Sequence, residues 1–171
     1  RESKFMDRPQ ADAAVLVPIV LRHEPMVLLT ERSAHLSTHS GQIAFPGGKA
    51  DPGDGGPNGT ALRETTEEVG IAHQYVEVLG HLNTYVTVTA FNVTPVVGLV
   101  TPPFELSPDA FEVAEVFEVP LSFLLDEANH QLHRVEVRGK LREYYAMPYG
   151  DYFIWGATAG MLVSLQRFVC R

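Results

Sequence analysis

Cysteine is almost absent from this chain. The single copy, Cys170, has no internal partner, so a disulfide-stapled scaffold is excluded and a reducing compartment is expected. So close to the C-terminus, it reads as a small packed hydrophobe rather than a nucleophile. Long apolar runs are also missing. Nothing approaches the ~18 residues of a membrane helix, so no membrane partner is expected, and no signal peptide is visible. Basic residues are few: 13 Lys and Arg face 21 Asp and Glu, a formal net charge of −8. Nucleic acid requires a basic face and is excluded as an expected partner. A polyanionic small molecule would instead have to be met by metal ions and a few local cations. His35 and His39 flank Ser37 without any Cys/His cluster, which argues against zinc. There is no internal repeat, low-complexity tract or linker.

The 171 residues are 45% hydrophobic and 20% charged, ordinary values for a globular protein. They fit one domain over 1–171 with a loose lead-in at 1–12. Residues 13–21 are rich in β-branched side chains and read as a strand, with Pro18 marking a bulge or edge. Residues 26–32 form its hairpin partner and deliver Arg32 at their end, either as a surface residue or as a fork for phosphate. A short strand at 42–45 leads into Phe45-Pro46-Gly47-Gly48, read as a tight glycine turn that lets the backbone approach a ligand. Strands are expected at 75–79 and 81–86, broken at Gly80, then at 91–100 and 113–119. A short helix follows at 121–128, a hairpin pairs 135–137 with 141–145, and a helix over 156–167 closes the chain. Strands and helices mixed without a βαβ repeat give an α+β class.

The chain is organised around residues 48–71, GKADPGDGGPNGTALRETTEEVGI. A helix from about 57–60 to Gly70 would place Glu64 and Glu68 on one face, with Glu67 beside them. Leu62, Thr66 and Val69 would pack inward, and Gly70 suits a C-cap. Arg63, four residues before Glu67, can orient that carboxylate. An acidic run alone is usually a solvated face. The preceding glycines and the Asp/Gly/Pro loop favour a divalent cation over it, and Mg²⁺ prefers carboxylates with substrate phosphates.

The stretch resembles the Nudix box, G-x5-E-x7-R-E-U-x-E-E-x-G-U with U aliphatic. Gly48 is the first glycine, and Arg63-Glu64, Glu67-Glu68 and Gly70-Ile71 match the tail. Asp54 stands in place of Glu, eight residues rather than seven separate it from Arg63, and Thr65 fills the first aliphatic slot. Upstream, Leu28-Leu29-Thr30-Glu31-Arg32-Ser33 and Gly41-Gln42-Ile43-Ala44-Phe45-Pro46-Gly47-Gly48 resemble the signature of the coenzyme A pyrophosphatase branch, L-L-T-x-R-S-x3-R-x3-G-x3-F-P-G-G. That branch shares the Asp and the longer gap. Ser37 departs from it, standing where the signature has arginine.

The resemblance implies a Nudix-type α/β/α sandwich, a mixed sheet flanked by helices. It implies a hydrolase cutting a diphosphate linkage, with Mg²⁺ or Mn²⁺ held by Glu64, Glu67 and Glu68. Glu64, Arg63 and Glu67 would be catalytic, and Arg32, Lys49, Gly47 and Gly48 would contact substrate. Lys49 is equally readable as a solvent-exposed residue. Glu112 and Glu115 are candidates for an additional acid or for plain surface. The implied substrate is coenzyme A or an acyl-CoA, cut to 3′,5′-ADP and (acyl-)4′-phosphopantetheine. ADP-ribose, NADH or nucleoside triphosphates are the alternatives, as is a non-catalytic nucleotide sensor. Tyr144, Tyr145, Tyr149, Tyr152, Phe153 and Trp155 are readable as core, as a homodimer interface or as an adenine platform. Some eukaryotic members of the branch are peroxisomal. The end Phe168-Val169-Cys170-Arg171 lacks a tripeptide of that kind, so a cytoplasmic location is expected.

Overall fold

The central sheet forks, and the fork positions everything else. The computed structural model describes residues 11–36 and 41–170. Strand β1 (Ala11–Leu21) turns back into β2 (Pro25–Arg32), the two pairing antiparallel from Ile19↔Val27 to Leu21↔Pro25. Beyond that they diverge. Into the gap goes a wedge, β3 (Ile43–Ala44) bonded to β2 and β4 (Gly47–Lys49) bonded to β1. Helix α1 (Pro57–Val69) follows, then β5 (Val76–His81), β6 (Tyr85–Val86) and β7 (Phe91–Val100). β7 runs parallel to β1 over ten residue pairs, from Ala11↔Phe91 to Val20↔Val100. β8 (Val113–Pro120) covers the other edge of β2. The chain then forms α2 (Leu121–Leu125), a three-stranded antiparallel sheet of β9 (Gln131–Val137), β10 (Lys140–Tyr149) and β11 (Tyr152–Trp155), and α3 (Gly156–Val169).

Both faces of the sheet are buried, so its strands alternate between two apolar cores. Leu16, Val20 and Leu28 pack towards α1 with Ala61, Val69 and Ile71. Val17, Ile19, Val27, Leu29 and Phe117 point the other way, onto Leu124, Met147, Ile154 and Leu162. This is the α+β sandwich expected from the sequence. No helix among the described residues is long and apolar enough to cross a membrane.

Several expectations change in detail. β1 begins at Ala11, so the end of the expected lead-in is strand; the rest of it, and Ser37 and His39, lie outside the described residues. Pro18 sits in the central strand, not at an edge. Leu16 donates its N–H to the Pro46 carbonyl at 2.8 Å, and Pro18, two residues on, turns its nitrogen to the same side. There β1 passes from β4 to β2 and no ladder bond is required of it. Gly80 does not end a strand: β5 runs through it with a register shift against β7. The helix expected over 121–128 stops at Leu125, and a 3₁₀ turn, Glu127–Asn129, takes over. The C-terminal aromatics divide by strand alternation. Tyr145, Tyr149 and Tyr152 pack on the core, whereas Phe153 and Trp155 stay 46% and 38% exposed.

Candidate active site

Helix α1 is bounded by its own sequence. Pro57 occupies the first turn, where its missing N–H costs nothing, and Gly70 closes the helix in the left-handed conformation, φ 82°. A Cβ on Gly70 would also lie 2.7 Å from the Ser107 backbone nitrogen. The buried residues are Thr60, Ala61, Thr65, Glu68 and Val69; Val69 faces inward as the periodicity implied, whereas Leu62 and Thr66 do not. Thr65 fits this inward slot because its hydroxyl donates to the Ala61 carbonyl at 2.7 Å. Its remaining methyl is then the aliphatic surface offered to the core.

Phe45-Pro46-Gly47-Gly48 is not the tight turn expected from its glycines. Gly47 and Gly48 are extended and pair with Val15 and Ala14. They are glycines because of what lies against them. A Cβ on Gly47 would fall 2.4 Å from the Ala14 carbonyl oxygen, and one on Gly48 would fall 2.6 Å from the Glu64 carboxylate carbon. The strand thus forms a bare backbone floor under the helix, and the Gly47 N–H donates to Glu68.

Three carboxylates meet this floor at different depths. Glu68 is buried, Glu64 retains 17% side-chain exposure and Glu67 58%. Burial pushes Glu68 up to about 8, reinforced by the charges of Glu64 and Glu112 and opposed by the Gly47 N–H and Arg32. Glu64 is raised as well, chiefly by burial, with Arg63 pulling the other way.

Arg63 is the hub. Its Nε and Nη2 grip the two oxygens of Asp54 at 2.7 and 3.1 Å, a forked pairing only a planar guanidinium makes. Its Nη1 reaches Glu64 at 3.1 Å and Glu67 at 3.2 Å, and Nη2 donates to the Lys49 carbonyl at 3.1 Å. Arg63 does hold Glu67, as its spacing implied, but Asp54 is its firmest partner. Asp54 itself is set in a 3₁₀ turn, Pro52–Asp54, and accepts from the Asp51 N–H at 2.8 Å and the Thr60 hydroxyl at 2.7 Å. These donors, Arg63 foremost, hold its carboxyl well below the usual carboxylate range. Asp54 was visible in the sequence only as a substitution within a motif; its pairing with an arginine nine residues on follows from the turn that precedes the helix.

Arg32 stands at the end of β2, where its charge acts on Glu68. Its buried Nε has no hydrogen-bond partner among the described residues, a donor left without an acceptor. Lys49 behaves otherwise. Its ammonium sits 5.4 Å from the centre of the Phe91 ring, so only its backbone carbonyl joins the cluster. Glu112 and Glu115 also separate. Residues 107–112 clip the end of α1, Ser107 and Asp109 donating to the carbonyls of Val69 and Glu68 at 2.8 Å each, and this brings the Glu112 charge to bear on Glu64 and Glu68. Glu115 lies on the other face, where it accepts the Tyr152 hydroxyl.

The family model for the NUDIX domain matches residues 10–144. The chain belongs to the Nudix family. A curated relative from Photorhabdus laumondii, named "Uncharacterized Nudix hydrolase NudL", is 46% identical over 157 residues, covering 92% of this chain and 84% of the relative. Among solved structures, a C. elegans Ap4A hydrolase binary complex is similar with a TM-score of 0.55 and 24% identity, over 64% of this chain and 80% of that one. The NUDIX domain of Shewanella oneidensis NrtR, complexed with ADP ribose, is similar with a TM-score of 0.51 and 21% identity, over 73% and 86%. These likenesses show the Nudix fold, and with the family match they make this chain a Nudix hydrolase.

Nudix hydrolases generally use divalent metals, and the donor set here fits one. Two carboxylates are desolvated, they repel each other and Glu112, and only oxygen ligands are offered, the preference of Mg²⁺ and Mn²⁺. Among the described residues no three acidic, His or Cys side chains form a ready-made cage. As they stand, Arg63 is bonded to Glu64 and Glu67, and Gly47 to Glu68.

Proposed function

We propose that this Nudix hydrolase cleaves the diphosphate bridge of coenzyme A or an acyl-CoA, releasing 3′,5′-ADP and (acyl-)4′-phosphopantetheine. The observation that carries the reading is a buried cation within electrostatic reach of the carboxylate set. Arg32, whose buried Nε has no partner among the described residues, acts on Glu68, which accepts from the Gly47 N–H beside Glu64. Arg32 and the two glycines belong to the coenzyme A-type signature, and the carboxylates belong to the box.

Glu64, Glu67 and Glu68 would hold the divalent ion. Such an ion supplies charge against the phosphoryl oxygens and acidifies a water. The chain supplies the remainder. Arg32 places a planar donor fork where phosphate oxygens can accept from it. Gly47 and Gly48, lacking a Cβ, let β4 press against β1 and let the Glu64 carboxylate close onto the backbone. Arg63, locked by Asp54, fixes Glu64 and Glu67 in place, which preserves their aim during the reaction. Glu64, raised by its burial and still reachable by solvent, is positioned to take a proton from water. Glu112, on the clip across the helix end, is the second acid able to do so.

The test is a product analysis. Coenzyme A, dephospho-CoA, ADP-ribose and NADH are each incubated with the protein and Mg²⁺ or Mn²⁺, and products are identified by mass. Release of 3′,5′-ADP and phosphopantetheine from coenzyme A at the highest kcat/KM is expected. Faster cleavage of ADP-ribose or NADH would overturn the substrate assignment, and no cleavage of any diphosphate would overturn the mechanism.

A further inference from the structure

A cavity of about 640 Å³ opens between α3, the β9–β10 hairpin and the β5–β6 edge of the sheet, within the usual range of small-molecule sites. It lies across the sheet from the carboxylate floor. None of Arg32, Glu64, Glu68 or Glu112 lines it. We propose that it is a second binding site, for a small molecule that carries one planar ring and one anionic group, as a nucleoside monophosphate does.

The cavity is built rather than left over. Gly160, Ser164 and Arg167 recur at helical spacing and line it from one face of α3. Gly160 is required there, because a Cβ would lie 2.7 Å from the Tyr85 ring. Its absence lets that ring lie against the helix as one wall. Tyr145 forms part of the opposite wall, and its hydroxyl accepts from Arg167 Nη2 at 3.2 Å.

The charge pattern indicates what the cavity takes. Arg22, Arg63 and Arg134 pair with carboxylates; Arg167, like Arg32, Arg138 and Arg142, makes no ion pair among the described residues, and of these it is the one that lines the cavity. The one carboxylate lining the cavity, Glu143, is engaged by Arg134 at 2.9 Å. In a chain with an excess of eight negative charges, a guanidinium that bonds a phenol and, among the described residues, no carboxylate is suited to receive an outside anion. The cavity lining holds one carboxylate, Glu143, and so no acidic set to hold a metal against a diphosphate; this is no duplicate of the catalytic floor. Tyrosine rings flank the space for a planar group. His81 adds a polar contact. Its Nε2 lies 2.6 Å from Asn58 Oδ1, which fixes the ring and leaves Nδ1 for a polar group of the ligand.

The test uses the full chain in metal-free buffer, so that hydrolysis does not intrude. AMP, adenosine and inorganic phosphate are titrated separately by calorimetry. AMP is expected to bind, with adenosine and phosphate each weaker by about 10-fold or more. Arg167→Gln is expected to weaken AMP by about 10-fold or more while leaving kcat/KM on the diphosphate substrate unchanged. Ser164→Phe, which fills the cavity, is expected to abolish AMP binding; should it fail to fold by circular dichroism, Arg167→Gln decides alone. Equal AMP affinity in wild type and Arg167→Gln, or no binding at millimolar AMP, overturns the proposal. So does a wild-type dimer that Arg167→Gln dissociates without any nucleotide bound, which would make the cavity a seat for a second copy.

Discussion

Asp54 and Glu68 make opposite tests of the same cluster. Asp54→Ala leaves Arg63 without its forked partner, so Glu64 and Glu67 lose their fixed aim. A fall in kcat of about 10- to 100-fold is expected, together with a lower melting temperature. Asp54→Glu, the residue of the general box, should recover part of both. Wild-type kcat in Asp54→Ala would show that Arg63 needs no anchor. Glu68→Gln replaces an acid whose ionisation is opposed by burial and its neighbours with a neutral isostere. The metal-free variant should therefore melt at or above the wild-type temperature while losing about 10²-fold or more in kcat. A variant that is destabilised and still fully active would take Glu68 out of the metal set. The acidic triplet, Arg63 and the glycines were legible because their spacing carries the chemistry. The depth of each carboxylate was not, since burial comes from which face of α1 meets the sheet, and Thr65 could be seen to face inward only once its hydroxyl had a partner.

At the level of elements, helix α1 ends against the clip of residues 107–112, and Gly70 is the hinge of that contact. Gly70→Ala must adopt a positive φ and press a methyl onto the Ser107 backbone. It should cost about 1 kcal/mol or more from the conformation alone, and weaken the alignment of Glu112. Thermal melts and kcat should fall together; an unchanged melt would mean the clip readily yields. Most strands and both long helices follow from periodicity and the Gly and Pro signals. The wedge did not. A sequence reader sees Pro46-Gly47-Gly48 and infers a turn, because the reason for those glycines is a carbonyl on β1 and a carboxylate on α1, both distant in sequence. Pro18 misleads in the same way: only the transfer of β1 from one neighbour to another excuses its missing N–H.

For the whole molecule, a bound ion should stabilise the native state, since the carboxylates of Glu64 and Glu68, brought together and desolvated by folding, would offer it a site the unfolded chain lacks. Mg²⁺ or Mn²⁺ at about 100 times its Kd should add about 2.7 kcal/mol, or roughly 5–10 °C in melting temperature for a domain of this size. Glu68→Gln should forfeit most of that increment. A wild-type melt indifferent to either ion would count against a resident metal. The wedge of β3 and β4 has a further consequence. Zipped to β2 on one flank and to β1 on the other, it can exchange its amide protons only when the sheet itself comes apart. Its protection in heavy water should therefore equal that of the global core, while the amides of residues 107–112 should exchange sooner. On that footing the floor beneath the carboxylates is among the slowest-breathing backbone in the molecule, and Glu112 at its rim rides on a part that breathes.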